Sequence, residues 1–591
     1  MVKMLMGNEA IAYGAIAAGV GVVSGYPGTP STEVLETVAK QNDGSIYVEW
    51  SVNEKVALEV AAGAAYTGTR SMVTMKQVGL NVASDPLMSL VSVGVKGGMV
   101  ILVADDPGPI SSQTEQDTRH FAKYSNLPVF DPSSPEEAYQ MVQDAFAYSE
   151  RYGIPVFLRP TTRICHSCAT VELREDKEPV RKGEFVKDPH FVIFPPLARR
   201  RHAEIEEQQP TIAEDFSEYN GNTVRGGGAL CVVASGVSAA YAKEALDEYA
   251  PELKLAKIAT PFPLPERFLL SALEGVSKVL VVEELDPVIE EGLIELAYSH
   301  RLELEILGKK TGNTPKVSEF SYEIVRDAIA EFASLAVNRE HITPPDGLPV
   351  RPPVLCAGCP HRASFYAVKQ AMKGQRAVFT GDIGCYTLGN AKPLDMCDTC
   401  LCMGASVTIA QGLKRADPDA KYIGFIGDST FFHTGIPGVV NALYNGTDIT
   451  LAILDNSTTA MTGHQPHPGI GRTMMGGESP KIDIAGLLTA LGVGFVEKVN
   501  PFELNKAVDT VRRAAEHVGV SAVVFEAPCI AIYKKEKTLT VGDDCKKCGI
   551  CLKEIGCPAM SRAKDGRVVI EPSLCYGCGL CASVCKFGVI K

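Results

Sequence analysis

Short apolar runs alternate with longer amphipathic segments along most of this chain, the signature of strands and helices taken in turn. GVGVVSG (Gly19–Gly25), SIYVEW (Ser45–Trp50), SMVTMK (Ser71–Lys76) and GGMVILVAD (Gly97–Asp105) read as strands. NEKVALEVAAGAAYTG lies among them as an Ala-rich helix, and RYGIPVFLRPTTR reads as a closing strand. A second series, ALCVVASG, KLAKIATPFPLP, KVLVVEEL and LELEILGK, begins at Ala229. A third contains KYIGFIG (Lys421–Gly427) and ITLAIL (Ile449–Leu454). The expected division is an α/β unit over 1–180, a linker over 181–228 rich in Pro, Arg and Glu, and a second α/β unit over 229–340. A third unit over 354–534 follows the Pro-rich PPDGLPVRPPV, and a cysteine-rich end occupies 538–591.

Composition narrows the class. The 591 residues allow about three to five domains. With 46% hydrophobic and 21% charged residues the chain is ordinary globular material. No apolar stretch reaches bilayer length, and Asn8 and Glu9 interrupt the apolar N-terminus where a signal core would lie, so a cytoplasmic protein is expected. A net charge of −13 argues against nucleic acid as the main partner, and the one basic run, Arg199-Arg200-Arg201, reads as solvated.

The two apolar runs of the third unit end on carboxylates, at Asp428 and at Asp455-Asn456, with a helix-length segment between them. A strand–helix–strand order makes a parallel pair, and ligands of open α/β sheets lie beyond the carboxyl ends of such strands. Oxygen ligands there suit one hard cation together with a phosphorylated cofactor. Two ordinary turns would end the same way, so the rest of the chain has to decide.

Eighteen cysteines without an export signal are thiols rather than a disulfide framework. Eight crowd into the C-terminal end: Cys545, Cys548, Cys551 and Cys557, then Cys575, Cys578, Cys581 and Cys585. Three thiolates at two-residue intervals wrap one cubane, and the fourth of each run ligates the other. One cluster would use Cys545, Cys548, Cys551 and Cys585, and the second Cys575, Cys578, Cys581 and Cys557. Zinc sites use separated CxxC pairs instead. The pattern resembles the bacterial two-[4Fe-4S] ferredoxin module, with a longer spacer before Cys557 and Lys586 where proline is usual.

With that module in view, GDSTFFHTGI and LDNST resemble the GDG and NN signature of thiamine-diphosphate enzymes. The resemblance implies that Gly427, Asp428, Ser429, Asn456 and Thr458 bind the cofactor's diphosphate, with Asp428 and Asn456 ligating Mg²⁺. It also implies a buried carboxyl group in a separate domain to protonate the aminopyrimidine. Glu54, which opens the Ala-rich helix, takes that part, with Glu49 and Glu59 as rivals. A first-turn Glu is also what a helix dipole favours.

GYPGTPSTE, CAGCPHR, GDIGCYTLG and AMTGHQPHPG complete a resemblance to 2-oxoacid:ferredoxin oxidoreductases, and within them to large subunits of the indolepyruvate branch, over essentially the full length. It implies an α/β multidomain fold: two thiamine-diphosphate-binding parallel-sheet domains (1–180 and 354–534), a transketolase-C-like domain (229–340) and a two-cluster ferredoxin module (538–591). It implies oxidative decarboxylation of arylpyruvates such as indole-3-pyruvate with coenzyme A, giving aryl-acetyl-CoA, CO₂ and reduced ferredoxin. Another 2-oxoacid, of branched-chain or phenylglyoxylate type, or an electron-transfer subunit with a degenerate thiamine site, are the alternatives.

Tyr26, Pro27 and Thr29 would line the substrate pocket beside the cofactor, and His464 and His467, with His433 nearby, would handle protons. Cys356, Cys359 and Cys385, with Cys529 or Cys402 as a fourth ligand, match positions of a thiamine-proximal cluster. The implied partners are a smaller β subunit, in a heterotetramer of two α and two β chains, and ferredoxin. The remaining Cys397–Cys400 and Cys165–Cys168 pairs read as plain thiols, and Cys231 as core.

Overall fold

The computed structural model describes residues 1–337 and 345–591, in two compact units, Met1–Thr343 and Pro344–Lys591. The expected boundary at residue 340 lies outside the described residues.

The first unit contains a six-stranded parallel sheet in the order Tyr47–Trp50, Val22–Gly25, Ser71–Lys76, Met99–Ala104, Val156–Leu158, Val129–Phe130. The run read as a closing strand, Val156–Leu158, is therefore interior. The edge is Val129–Phe130, two residues long and too short to show a period. The unit also holds a five-stranded sheet, Glu305–Leu307, Lys278–Val282, Gly227–Ser235, Leu253–Ile258, Thr223–Arg225, parallel except for the last strand.

The stretch read as linker is more ordered than its composition suggests. Within it Pro195–Ser217 is a 23-residue helix with proline in its first turn, where a missing N–H is harmless, and just before it Cys168–Glu172 pairs antiparallel with Val2–Met6. Of the basic run on that helix, Arg199 and Arg200 are exposed, but Arg201 is buried and pairs with Glu204. The solvated reading fails at this residue because the helix turns it inward, against Gly94.

The first unit is also tied together by buried charge. Arg119 donates to Asp117, to Glu283 Oε2 at 2.7 Å and to the carbonyls of Glu284 and Asp286 at 2.9 Å. Arg159 Nε donates to Asp105 Oδ2 at 2.7 Å and faces Asp131. These contacts join the six-stranded region to the five-stranded one.

The second unit carries a five-stranded, all-parallel sheet: Ala377–Thr380, Lys421–Gly427, Ile449–Asp455, Val520–Glu526, Phe495–Val499. Both faces are covered. Phe425, Ala452, Leu454 and Phe525 pack on one side, Ile426, Leu451, Ile453 and Val524 on the other. That is why its strands read as unbroken apolar runs rather than alternating ones. The chain then enters the cysteine-rich end, with the hairpin Met560–Arg562 and Val568–Ile570 and the short helices Ile550–Ile555 and Leu580–Val584. No helix among the described residues is long and apolar enough to cross a membrane.

Candidate functional site

Asp428 follows the strand Lys421–Gly427 and is 3% exposed. Its Oδ1 accepts from the backbone N–H of Ser429 at 2.8 Å; its Oδ2 accepts from those of Asn456 at 3.2 Å and Ser457 at 2.8 Å. Oδ2 also accepts from His467 Nε2 at 3.1 Å. Gly469 N–H donates to His467 Nδ1, so the ring proton sits on Nε2 and points at the carboxylate. Burial works against ionising Asp428, but His467 and these donors hold its carboxyl below the usual range. Asp455, beside it, is pushed up to about 6 by burial and by the charge of Asp428.

Among the described residues neither carboxylate forms an ion pair with a lysine or arginine, and His467 is the one ion-pair partner of Asp428. A buried acid and a half-buried one at neighbouring strand ends, with no lysine or arginine ion-paired to either among the described residues, suit an external cation.

Thr458, at the other strand end, has a buried Oγ1 without a partner among the described residues, and its N–H donates to Asn456 Oδ1 at 3.4 Å. Asn456 Nδ2 donates in turn to Nε2 of His361 at 3.2 Å. His361 is fully buried, which drives its pKa down to about 4, so it is a neutral acceptor that fixes the orientation of the Asn456 amide. A side chain at Gly427 would meet Tyr386 at 2.5 Å, so only glycine lets the strand end close over this pocket. Ser429 Oγ accepts from Thr459. The oxygen-rich donor set of Asp428, Asn456 and Thr458 fits Mg²⁺ carrying a diphosphate.

The helix that follows Asp428 has a π-helical turn, Phe431–Gly435, a feature frequent at functional sites. It buries His433, whose Nδ1 meets Thr434 Oγ1. His464 is exposed, on a left-handed backbone at φ 69°. The structure thus brings His467 to Asp428 and not His464. His361 was invisible in the sequence as a site residue; its place two residues after Cys359 was the available signal.

In the first unit, Glu54 opens the helix Glu54–Tyr66 behind an Asn53 cap and is 5% exposed. Glu59 is exposed and paired with Lys55, and Glu49 is half-buried and accepts from Tyr47 and Ser51. Of the three, Glu54 alone is buried. Gly79 lies against it, where a side chain would meet Oε1 at 2.7 Å. Lys76, at the end of its strand, is held below the ordinary lysine range by burial while facing Asp106 and Glu54. The turn Tyr26–Pro30 ends the neighbouring strand, and Gly28 packs on the Lys76 side chain. Tyr26, Pro27, Thr29 and Lys76 therefore share one end of the sheet.

The cysteines sort into sets. Cys557, Cys575, Cys578 and Cys581 line one cavity together with Cys359 and Arg362. Burial and the other three thiols push Cys581 up to about 12. Cys551 faces Cys585 and Cys548, the other expected set. Among the described residues no three histidine, cysteine or carboxylate side chains converge on a single ion. A ring of thiols around a cavity suits an extended inorganic core instead. Cys385 is raised to about 11 by burial, with Cys529 and Cys356 facing it. Cys402 faces Asp382 and Cys400, away from that group. Cys397 and Cys400 are hydrogen-bonded to each other.

Known protein families and relatives match this chain along its length. Residues 13–214 match the family described as pyruvate flavodoxin/ferredoxin oxidoreductase, thiamine diP-binding, and 382–525 match the C-terminal TPP-binding domain of thiamine pyrophosphate enzymes. Residues 568–591 match the 4Fe-4S binding domain. The chain is 43% identical over 602 residues to the indolepyruvate oxidoreductase subunit IorA of Methanothermobacter thermautotrophicus, covering 99% of this chain and 97% of that one. It is 42% identical over 616 residues to the IorA subunit of Archaeoglobus fulgidus, with the same coverage. A solved chain of 2-oxoglutarate:ferredoxin oxidoreductase from Magnetococcus marinus aligns at a TM-score of 0.45 and 19% identity, over 56% of this chain and 65% of that one.

Proposed function

The chain belongs to the IorA family of indolepyruvate oxidoreductase subunits, and we propose that it is the thiamine-diphosphate-dependent large subunit of an enzyme that oxidatively decarboxylates arylpyruvates, indole-3-pyruvate foremost. Coenzyme A takes the acyl group, and ferredoxin takes the electrons. The observation that carries the reading is the buried Asp428 carboxylate, hydrogen-bonded on every side but unbalanced by any lysine or arginine among the described residues.

Thiamine diphosphate, when bound, supplies the electron sink for loss of CO₂. Asp428, Asn456 and Thr458 hold its Mg²⁺ and diphosphate, with His361 keeping the Asn456 oxygen available to the cation. Glu54 holds a proton toward the aminopyrimidine from its buried place at the helix start. His467, whose Nε2 proton already points into the site, is the histidine assigned to proton movement in preference to His464. Tyr26, Pro27 and Thr29 shape the substrate end.

Two [4Fe-4S] clusters occupy the C-terminal thiol sets. A third is assigned to Cys356, Cys359 and Cys385 with Cys529, because Cys529 faces Cys356 and Cys385 and Cys402 does not. A smaller β subunit completes a heterotetramer of two large and two small chains. The test is anaerobic co-purification with that subunit, followed by viologen reduction across 2-oxoacids with coenzyme A. Indole-3-pyruvate is expected to give the highest kcat/KM. Preference for a branched-chain acid or phenylglyoxylate would replace the substrate, and no 2-oxoacid-dependent reduction would overturn the assignment.

A further inference from the structure

Arg362 is a buried charged side chain that reaches the thiols on both sides of the cavity of the second unit. It lies in the first turn of the helix Pro360–Ala371, three residues after Cys359, and is 4% exposed. Its Nη1 donates to the carbonyls of Ile555 at 2.8 Å and Gly556 at 2.9 Å, in the cysteine-rich end. Its Nη2 donates to the carbonyls of Leu355 and Cys356. Nε is buried without a partner among the described residues. The guanidinium lines the cavity with Cys359, Cys557, Cys575, Cys578 and Cys581.

The two C-terminal thiol sets therefore have different surroundings. Around Cys545 the charges that act on the thiol, Arg567 and Asp565, are of opposite sign and solvent-exposed, and Cys548 is itself exposed. The set with Cys575 is more enclosed and has a buried cation on its wall. A fixed positive charge in a low-dielectric site favours the reduced, more negative form of a cluster, whereas exposed charges are screened.

We infer that Arg362 raises the reduction potential of the cluster held by Cys557, Cys575, Cys578 and Cys581, so that of the two C-terminal clusters this one receives electrons first from the thiamine side of the unit. Each transfer adds one electron to the cluster and removes one from the 2-oxoacid oxidation of the proposed function, on which this order of transfer rests. The effect on potential does not depend on that reading.

Two substitutions separate charge from clamping. Arg362→Gln keeps donors for the Ile555 and Gly556 carbonyls and removes the charge; Arg362→Lys keeps the charge and gives up the planar fork. The measurement is an EPR-monitored redox titration of the full chain with dithionite, so its outcome stands whether or not any 2-oxoacid is oxidised. Iron and sulfide content are checked in each variant. Arg362→Gln is expected to move the midpoint of the Cys575 cluster to more negative potential and to leave that of the Cys545 cluster in place, while Arg362→Lys stays near the parent protein. Cys575→Ser assigns the signal, since the midpoint that it removes must be the one that Arg362→Gln displaces. If Arg362→Gln loses iron, Arg362→Met serves in its place with the same expectation. Unmoved midpoints in the charge-free variant, or equal displacement in the lysine variant, would overturn the inference.

Discussion

Buried carboxylates occur in both units, and the two groups are balanced in opposite ways. In the first, Asp105, Asp117, Asp131 and Glu283 surround Arg119 and Arg159, and the arginines carry the region's positive charge. In the second, Asp428 and Asp455 lie side by side at strand ends, and neither pairs with a lysine or arginine among the described residues. Burying charge is costly unless it is paired. The first cluster solves that within the chain and so works as structural cement. The second leaves the problem to a ligand. Burial of an acid therefore says little about function until its counter-charge has been located.

The largest effect that tests this contrast is in the first unit. Arg119→Met leaves Asp117 and Glu283 buried without their cation and should cost about 3–5 kcal/mol of stability, read as an earlier unfolding step in denaturant melts. Cofactor addition should not restore it. Asp428→Ala should act on binding instead: Mg²⁺-dependent thiamine diphosphate binding falls by about a hundredfold or more, roughly 2.7 kcal/mol, while iron content holds. Equilibrium dialysis checks the first half; unchanged affinity there would place the cation elsewhere.

The sequence shows these two groups unequally. Asp428 and Asn456 are legible because each ends an unbroken apolar run, so strand, turn and ligand appear together within 28 residues of chain. The Arg119 cluster is not, because its partner Glu283 lies 164 residues away and nothing local announces the pairing. The same reason hides Arg362, whose carbonyl acceptors at Ile555 and Gly556 are almost two hundred residues downstream. Glu54 was readable as a helix start, but its burial depends on Gly79, which comes from a different segment. The edge strand Val129–Phe130 was too short to leave a period, and the helix Pro195–Ser217 was masked by the Pro, Arg and Glu that made it read as linker.

A smaller effect distinguishes acids inside the first unit. Glu284 accepts from the backbone N–H of Phe320 at 2.8 Å, and burial pushes its pKa up to about 7. An acid whose folded pKa lies above its unfolded value stabilises the fold while protonated and loses that contribution as pH rises through the folded value. Stability should thus fall by on the order of 1–2 kcal/mol between about pH 5 and pH 8. Glu284→Gln keeps the acceptor and removes the titration, so its melting temperature should change less over that interval. An equally steep profile in the variant would assign the slope to Asp105, which burial raises to about 6.

The smallest predicted effect has the opposite sign. Asp455 stands against Asp428 and is half of a like-charged pair, with no lysine or arginine ion-paired to it among the described residues. With the clusters kept and thiamine diphosphate and Mg²⁺ dialysed away, Asp455→Asn relieves that repulsion and should raise stability by about 1 kcal/mol at neutral pH, because removing one of two like charges helps where removing one of two opposite charges harms. Adding Mg²⁺ and thiamine diphosphate should then narrow the gap, since the parent protein gains from a cation that neutralises both acids and the variant has one acid fewer to neutralise. Ser457 N–H, which donates to Asp455 Oδ1 at 3.0 Å, keeps an acceptor in the amide, so the backbone turn survives the change. Differential scanning fluorimetry with and without the cofactor pair reads both halves. A variant that is less stable than its parent in the cofactor-free state would mean that Asp455 is structural cement like Asp117, and the contrast between the two units would fail at that residue.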